Sequence, residues 1–364
     1  MQEALDLAVR GRGDVEPNPR VGALALKDDV VVGRGWHRFW GGPHAEVEAL
    51  ADARRNGCPS PDTIVVTLEP CSAPRGAGKK TPPCAEALLA AGVKRVVVGA
   101  VDSDPRHQGK GLSWLESHGV QVIDGVLASR CRAINRPFER WLGLDRPWTI
   151  AKWAMTLDGK TATATGESRW ISGMESRRAT HELRARVDAV VVGYRTAQID
   201  DPELTVRHVD GPQPVRIVVD PYGEIDDDSR IVATAREHPT WILASTNADP
   251  VRTGHLTDLG VQVIHVKPAE GARRLQLRDA WRELRRRGIR RVLVEGGGGL
   301  MGTLVSWGLV DQVLCFVAPK IIGGQFAPTA VGGQGKAFMA EAWRFDEMYW
   351  RASDDDLAIG AFAV

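Results

Sequence analysis

Four side chains in the first part of the chain have the types and the spacing of a catalytic metal site. One residue separates His44 from Glu46, and Cys71 and Cys84 follow in Glu-Pro-Cys and Pro-Pro-Cys contexts. One imidazole and two thiolates can hold a zinc ion while its fourth position stays open for water. Zinc lowers the pKa of such a water, and the Glu46 carboxylate could take its proton and pass it to a leaving amine.

This pattern favours a catalytic zinc over two simpler interpretations. An H-x-E motif followed by P-C and a second cysteine is typical of zinc-dependent deaminases of nucleobases. The simpler interpretations are a structural zinc, which usually has four protein ligands, and a site that has lost its metal. We predict one zinc ion in this domain, with His44, Cys71 and Cys84 as ligands and Glu46 as the catalytic acid and base.

The elements around these residues should place the ligands at one end of an α/β layer. The periodicity predicts strands over 21–37 (two, joined at 27–29), 64–70 and 95–101, and helices over 3–10, 44–55, 84–92 and 128–142. Gly41-Gly42-Pro43 precedes His44, which should therefore lie at the very start of its helix. Residues two apart on a helix point to nearly opposite sides. His44 and Glu46 can thus share a zinc ion only beyond the helix end.

The second half contains a pattern for phosphate binding. A buried strand ending at Glu295 precedes four glycines and a helix, and such a turn exposes backbone N–H groups that bind phosphate. A merely tight corner is the alternative. Gly297, Gly299 and Gly302 meet the G-x-G-x-x-G spacing, but no acidic residue follows about 20 positions later, which disfavours a standard dinucleotide fold.

Earlier in this half we predict a helix over 174–187 with Ser172 as N-cap and a turn at 199–202.

Length and charge limit the classes of function. The 364 residues indicate two domains, with a boundary at 143–147. The formal net charge is +1, from 47 Lys and Arg against 46 Asp and Glu, so the chain lacks the basic field of a nucleic-acid-binding protein. No apolar run approaches the roughly 18 residues of a membrane span. Five cysteines, two in a metal-like context, fit a reducing compartment. We expect a cytoplasmic enzyme with a small-molecule substrate.

Motifs in both halves resemble those of the RibD family of bifunctional deaminase–reductases of riboflavin biosynthesis. The matching strings are PNP (17–19), HAEV (44–47), VTLEPCS (66–72), TPPC (81–84), TLDGKTA (156–162), GESRWI (166–171), DDPELTVR (200–207), VEGGG (294–298) and APKIIGG (318–324). The resemblance covers almost the whole chain. It implies a cytidine-deaminase-like three-layer α/β domain over 1–143 and a dihydrofolate-reductase-like α/β domain over 148–364.

The resemblance also implies ligands and contacts. The deaminase would take a diaminohydroxy-pyrimidine that carries a phosphoribosylamino group, contacted by Asn18 and Lys80, and the reductase would use NADPH. Ala154, Trp170, Thr196, Asp200 and the loop Gly297, Gly298, Gly299, Leu300, Met301 and Gly302 would bind NADPH. Ser168, Arg184, Leu204, Arg207 and Glu295 would face the substrate. The chemistry implied is hydride delivery to a ribosyl C1′ imine, with Asp200 and Lys152 as candidate proton donors. A homo-oligomer, dimer or tetramer, is implied as well.

Three departures from the family pattern leave alternatives open. Ala73 stands where the family has histidine, Arg106 stands where it has asparagine, and the spacing between Cys71 and Cys84 is longer. These changes motivate an alternative in which the chain is a monofunctional reductase with a decayed deaminase domain. Outside enzymes, the alternative is a nucleotide sensor that uses both pockets. A sensor does not require Glu46, so the deaminase–reductase remains the favoured prediction.

Overall fold

A computed structural model describes residues 1–72, 83–269 and 274–363. The chain divides into two units, Met1–Leu144 and Asp145–Val364. Within the described ranges, none of the helices has both the length and the apolar character needed to cross a bilayer. Lys80 and Ala73, which the sequence analysis singled out, lie outside the described residues.

The first unit is built on a five-stranded mixed sheet with the strand order β2-β1-β3-β4-β5. Its strands are β1 (Gly22–Lys27), β2 (Val30–Trp36), β3 (Thr63–Leu68), β4 (Arg95–Ala100) and β5 (Gln121–Ile123). The strands β1 and β2 form an antiparallel hairpin, β1 is also antiparallel to β3, and β3, β4 and β5 run parallel. The loops that follow β3 and β4 therefore emerge at the same edge of the sheet.

Helices cover this sheet on both faces, as the strand alternation requires. They are α1 (Gln2–Ala8), α2 (Ala45–Arg55), α3 (Cys84–Ala90), α4 (Lys110–Ser117), α5 (Ala128–Ala133) and α6 (Arg136–Leu142). Ile64 and Val66 pack into one hydrophobic cluster, whereas Val65 packs into a second. A Cβ atom at Gly33 or Gly35 would overlap the backbone of α2, so these two glycines allow α2 to lie directly on β2. The result is the predicted three-layer arrangement.

The last helix of the first unit was predicted as one element over 128–142, and this was wrong. The structure has two helices, α5 and α6, with a break at Ile134 and Asn135. The Asn135 side chain accepts a hydrogen bond from the backbone N–H of Arg20 (2.7 Å) and donates one to the Arg20 carbonyl (3.1 Å). Asn135 thus fixes the chain around Arg20, and the helix is interrupted where this contact is made.

The second unit is built on a nine-stranded sheet with the order β10-β9-β8-β7-β11-β6-β12-β14-β13. Its strands are β6 (Trp148–Thr156), β7 (Ala189–Gly193), β8 (Val215–Val219), β9 (Thr240–Ser245), β10 (Gln262–Val266), β11 (Arg291–Val294), β12 (Gln312–Ala318), β13 (Phe345–Ser353) and β14 (Asp356–Ala363). The first seven strands in that order run parallel, and β14 and β13 complete the sheet as an antiparallel hairpin. This hairpin was not predicted from the sequence.

Six described helices connect the parallel strands: α7 (Met174–Arg184), α8 (Tyr194–Asp200), α9 (Arg230–Ala233), α10 (Pro250–Asp258), α11 (Leu277–Arg286) and α12 (Gly298–Ser306). The turn predicted at 199–202 was wrong, because residues 199 and 200 are the last of helix α8, and the chain that follows forms neither helix nor strand. The helix α7 ends at Arg184 rather than at residue 187.

The N-terminus of α7 also differs from the prediction, because Ser172 is not its N-cap. Gly173 holds that position, and a glycine has no side chain with which to cap the helix. Carboxylates of the β13–β14 hairpin serve instead: Asp356 accepts from the Gly173 N–H (2.7 Å) and from the Ser176 hydroxyl (2.6 Å). Acidic groups at a helix N-terminus satisfy its free N–H groups and complement its dipole, so the cap comes from a distant part of the sequence.

The start of the second unit is anchored by a buried ion pair, which yields a prediction for stability. Arg146 and Asp311 form two hydrogen bonds (2.6 and 2.8 Å), and Asp311 also accepts from the Thr149 N–H (2.9 Å). Replacing Asp311 by Ala leaves a buried guanidinium without its carboxylate partner, which lowers the free energy of unfolding by about 3–5 kcal/mol. Asp145→Ala is the control, since Asp145 pairs with Arg282 at the surface and surface pairs contribute about 0–1 kcal/mol. Urea unfolding followed by tryptophan fluorescence measures both, and equal losses would contradict the prediction.

Candidate active sites

The three predicted zinc ligands converge at one edge of the first sheet. Cys71 follows β3, Cys84 is the first residue of α3, and His44 is the N-cap of α2 with an extended backbone (φ −77°, ψ 161°). The expected position of His44 at the helix start is therefore confirmed. Within the ranges that the structure describes, these residues form the one group of three or more potential ligands, with ligand atoms all within 4.8 Å of one another.

The distances and charges in this cluster fit a zinc ion. His44 Nδ1 lies 3.1 Å from Cys84 Sγ and 3.6 Å from Cys71 Sγ. A tetrahedral zinc ion with bonds of about 2.0 Å to nitrogen and 2.3 Å to sulfur separates its ligand atoms by roughly 3.5 to 3.8 Å. The donor set therefore needs only small adjustments to hold the ion.

The pKa values of the two thiols are shifted in opposite directions. A hydrogen bond from Cys84 and the nearby His44 lower the pKa of Cys71. The same hydrogen bond, burial and the neighbouring Glu46 raise the pKa of Cys84 well above its ordinary value. The backbone N–H of Cys84 also points at the Cys71 sulfur (3.4 Å). Two crowded sulfurs and an imidazole that compete for protons are a donor set that a divalent cation stabilises.

Glu46 joins the same cluster from inside the first turn of α2. Its side chain is only 3% exposed, and it interacts with Cys84 and with His44. Burial raises the pKa of Glu46, although His44 opposes this effect. A buried carboxyl with a raised pKa holds a proton more tightly than an exposed one, which suits a group that must both accept a proton and return it.

His37 is a residue of this site that the sequence analysis missed. It is buried, and burial lowers its pKa to about 4, so the ring is neutral. Its Nδ1–H donates to the carbonyl of Pro43 (2.8 Å), which leaves Nε2 to accept from the Asn18 amide (3.3 Å). This chain of contacts ties Asn18, a predicted substrate contact, to the residue that precedes His44. The only sequence signal was a histidine at the end of a predicted strand.

A second buried carboxylate, Glu69, organises the loop that follows β4. Glu69 accepts hydrogen bonds from the backbone N–H groups of Asp102, Gly109 and Gly111 (2.7–3.0 Å). The same loop carries Arg106, whose Nε and Nη2 bond to Asp104. Glu69 is two residues from Cys71, so one strand end fixes both a ligand and this loop.

In the second unit, six predicted residues line one cavity of about 290 Å³. They are Ser168, Trp170, Arg184, Asp200, Leu204 and Arg207. Four charged residues that sequence reasoning did not identify also line it: Arg169, Asp201, Glu203 and Arg230. The cavity therefore combines a dense set of guanidinium and carboxylate groups with one indole ring, which suits a phosphorylated, planar ligand.

Arg184 is held by a buried carboxylate. Its Nε and Nη2 donate to the two oxygens of Glu295 (2.6 and 3.1 Å), and Lys152 Nζ lies 4.0 Å from the same carboxylate. Burial opposes ionisation of Glu295, but Arg184 and Lys152 outweigh it and hold its pKa below the ordinary value. Burial lowers the pKa of Lys152, which Glu295 opposes. Ala154 lies two residues further along β6 and thus on the same face of the sheet as Lys152.

Asp200, at the C-terminal end of α8, has a different environment. Burial raises its pKa, and Arg169 only partly opposes this. The neighbouring Asp201 is instead paired with Arg230, 3.2 Å away. The surroundings of Asp200 thus favour its protonated form more than water does.

Two glycines of the predicted phosphate loop are required by packing. A Cβ atom at Gly298 would lie 2.8 Å from the carbonyl oxygen of Thr329, and one at Gly302 would overlap the carbonyl of Gly332. The N–H of Gly332 also donates to the carbonyl of Gly298 (2.9 Å). At these positions the structure supports the tight-corner alternative, because the chain over 329–332 lies directly against α12.

The remaining positions of this loop differ among themselves. The Gly297 N–H donates to the hydroxyl of Thr196 (2.9 Å), which joins two predicted cofactor contacts. Gly299 has open space where a side chain would be. Leu300 packs against Gly296, and Met301 is fully buried in the core. In this structure Met301 therefore presents no exposed surface to a ligand.

Two family models match the chain. The model described as the cytidine and deoxycytidylate deaminase zinc-binding region matches residues 1–100. The model described as the RibD C-terminal domain matches residues 147–359. The first match lies within the first unit and the second within the second.

Curated relatives match across both units. The riboflavin biosynthesis protein RibD of Aquifex aeolicus is 39% identical over 324 residues, which are 89% of this chain and 87% of the relative. The protein of the same name from Escherichia coli K12 is 37% identical over 338 residues, which are 89% of this chain and 88% of the relative.

Solved structures match the fold. RibD of Acinetobacter baumannii has a TM-score of 0.71 at 33% identity and covers 100% of this chain and 97% of its own. A diaminohydroxyphosphoribosylaminopyrimidine deaminase/5-amino-6-(5-phosphoribosylamino)uracil reductase from Thermotoga maritima has a TM-score of 0.69 at 31% identity with the same coverage. These similarities confirm the predicted fold class, a cytidine-deaminase-like domain followed by a dihydrofolate-reductase-like domain.

Proposed function

The chain belongs to the RibD family of bifunctional riboflavin-biosynthesis enzymes, and from this premise we propose which of its residues carry out each reaction. It is a deaminase and a reductase. The alternative of a reductase with a decayed deaminase is not favoured, since the zinc-binding deaminase region is matched over 1–100. We assign the deaminase domain to residues 1–143 and the reductase domain to residues 148–364.

In the deaminase domain we assign one zinc ion to His44, Cys71 and Cys84. Zinc, when bound, supplies a Lewis acid that lowers the pKa of water toward neutrality. Glu46 takes a proton from the attacking water and delivers it to the departing amine, and its burial suits a carboxyl that must carry that proton. The substrate we assign is the diaminohydroxy-phosphoribosylaminopyrimidine named for the Thermotoga maritima relative, with Asn18 and Lys80 as contacts.

In the reductase domain we assign NADPH as the source of the hydride. Ala154, Trp170, Thr196, Asp200 and the loop Gly297, Gly298, Gly299, Leu300, Met301 and Gly302 bind it. Ser168, Arg184, Leu204, Arg207 and Glu295 face the phosphorylated pyrimidine. Reduction at the ribosyl C1′ converts the ring-opened imine to an amine and leaves a ribityl chain. The arginines suit the phosphate because a planar guanidinium pairs two of its oxygens.

The observation that carries this assignment is the convergence of buried Glu46 on the His44, Cys71 and Cys84 cluster. Mass spectrometry of the products tests it. The wild-type enzyme is incubated with the diaminopyrimidine, first without and then with NADPH. We expect the deaminated ribosyl compound in the first sample and the ribityl compound in the second. A reduced but still aminated product would contradict the assigned order of reactions.

Asp200 provides a prediction for pH dependence. We assign it as the proton donor in reduction, for which it must be protonated. Because burial raises its pKa, the protonated form persists to higher pH than for an ordinary aspartate and is lost as pH rises through that pKa. The reductase kcat should therefore fall on the alkaline side, and Asp200→Asn should lower kcat by roughly 10²-fold and remove this limb.

Asp201→Asn is the matched control for that experiment, since Asp201 lines the same cavity but pairs with Arg230. Its pH profile should retain the alkaline limb. If the alkaline fall of kcat persists in Asp200→Asn, Lys152 is the proton donor instead.

We also propose a cytoplasmic location and a homo-oligomer, dimer or tetramer. The similarity to bacterial biosynthetic enzymes along nearly the whole chain supports both proposals.

A further inference from the structure

One side of the cavity of about 290 Å³ in the second unit, here called the reductase cavity, is formed by a stretch of chain that is neither helix nor strand. The segment Leu204–Arg207 contributes Leu204 and Arg207 to the cavity wall. Leu204, Thr205 and Val206 are buried, and Leu204 has a left-handed backbone (φ +54°), a conformation that is costly for a leucine. Buried backbone N–H and C=O groups outside regular structure need partners from elsewhere. The contacts of this segment therefore decide where its two side chains point.

Side chains supply those partners. The Val206 N–H donates to Gln213 Oε1 (2.8 Å), and Gln213 Nε2 donates to the Val206 carbonyl (3.0 Å). One amide thus makes the pair of hydrogen bonds that a neighbouring strand would make. The carbonyl of Thr205 accepts from Arg184 Nη1 (3.0 Å), the same guanidinium that Glu295 holds.

His181 holds the end of the segment. Its Nδ1 accepts from the backbone N–H of Arg207 (3.2 Å), which requires a neutral ring with the proton on Nε2. The ring is buried, and burial together with Arg184 and Arg207 lowers the pKa of His181 to about 4. The ring is therefore a reliable acceptor at neutral pH. His181 and Arg184 lie one turn apart on α7, so a single helix face holds two points of the segment.

We propose that Gln213 and His181 are positioning residues of the reductase: they hold the segment Leu204–Arg207 so that Leu204 and Arg207 meet the phosphorylated pyrimidine. Neither residue lines the cavity, so both act through the segment. This inference rests on the proposed function, because it requires that Leu204 and Arg207 face the substrate.

Steady-state reductase kinetics with the deaminated substrate test the proposal. Gln213→Ala and His181→Leu each remove the contacts of one or two main-chain groups. We expect each to raise the KM for the pyrimidine by roughly tenfold, with the KM for NADPH and kcat within about twofold of wild type. His181→Asn places an amide oxygen where Nδ1 was and should restore most of the wild-type KM. Because Gln213 is exposed, its replacement by alanine creates no cavity in the core.

Two controls separate positioning from a general loss of stability. Thr180→Val changes the neighbouring buried residue of α7, whose hydroxyl bonds only within the helix, and Gln262→Ala removes an exposed glutamine of β10. Both should keep the wild-type KM. The proposal is overturned if Gln213→Ala and His181→Leu also keep it, or if Thr180→Val raises it equally. Absence of NADPH oxidation by the wild type would instead overturn the proposed function, and the inference with it.

Discussion

Glu46→Gln is expected to abolish ammonia release while the enzyme retains its zinc. The amide has nearly the same shape as the carboxyl but cannot accept a proton from water, so the deaminase rate should fall by roughly 10²- to 10⁴-fold. Because Glu46 is not one of the three assigned ligands, the zinc content should equal that of the wild type. Ammonia release without NADPH and metal analysis of the same preparation measure the two effects.

Glu48→Gln is the matched control, since it makes the same chemical change on the same helix. Glu48 pairs with Arg38 (3.4 Å) rather than with the metal cluster. Its deaminase rate and zinc content should stay at the wild-type values. A Glu46→Gln enzyme that still releases ammonia at the wild-type rate would remove Glu46 from the mechanism. A simultaneous loss of zinc would instead make Glu46 part of the metal site.

Glu295→Gln is expected to cause a large loss of reductase activity and to leave the deaminase activity intact. The Glu295 carboxylate accepts two hydrogen bonds from Arg184, and its negative charge also lies 4.0 Å from Lys152 Nζ. An amide places its N–H₂ group against one of these cations, and two positive charges remain buried together. Truncating one member of such a pair costs on the order of 3 kcal/mol, so kcat/KM for reduction should fall by roughly 10²-fold.

The deaminase activity of Glu295→Gln serves as an internal control for folding of the first unit. Glu283→Gln is the second control, because Glu283 pairs with Arg286 and Arg287 at the surface of α11. Surface ion pairs contribute little to stability, so the Glu283→Gln enzyme should catalyse the reduction at the wild-type rate. Unchanged reduction by Glu295→Gln would mean that Arg184 needs no carboxylate partner to bind the substrate.

The position of His44 could be predicted because its signals are local. The sequence Gly-Gly-Pro before His44 favours a helix start, and two residues of the H-x-E motif can reach one ion only from such a start. The structure shows His44 as the N-cap of α2. The apolar run around Ile64 likewise favours a strand that is buried on both faces, and the structure shows Thr63–Leu68 buried throughout.

The features that sequence reasoning missed depend on distant contacts. The break between α5 and α6 is fixed by Asn135 against Arg20, which lies 115 residues away. Asp356, far along the chain, caps α7 in place of Ser172. In α8, the pattern Asp-Asp-Pro marks where the helix ends but not where it begins, so only a turn was predicted.

The glycine-rich loop shows why one motif can have two physical causes. Its composition predicts exposed N–H groups for a phosphate. In the structure, Gly298 and Gly302 are required by the chain over 329–332, and only Gly299 is open. Nothing local distinguishes these glycines, because the segment that packs on them follows about one helix and one strand later in the chain.

We propose that one chain deaminates a phosphorylated diaminopyrimidine and then reduces the product. The most direct test is the ratio of ammonia released to NADPH oxidised when the zinc-loaded wild-type enzyme receives only the diaminopyrimidine. We expect no NADPH oxidation before ammonia appears and a final ratio of about one, since each deaminated molecule takes one hydride. The opposite result would be no ammonia release and no NADPH oxidation from the diaminopyrimidine, together with NADPH oxidation when the deaminated substrate is supplied. That result would contradict deamination by this chain.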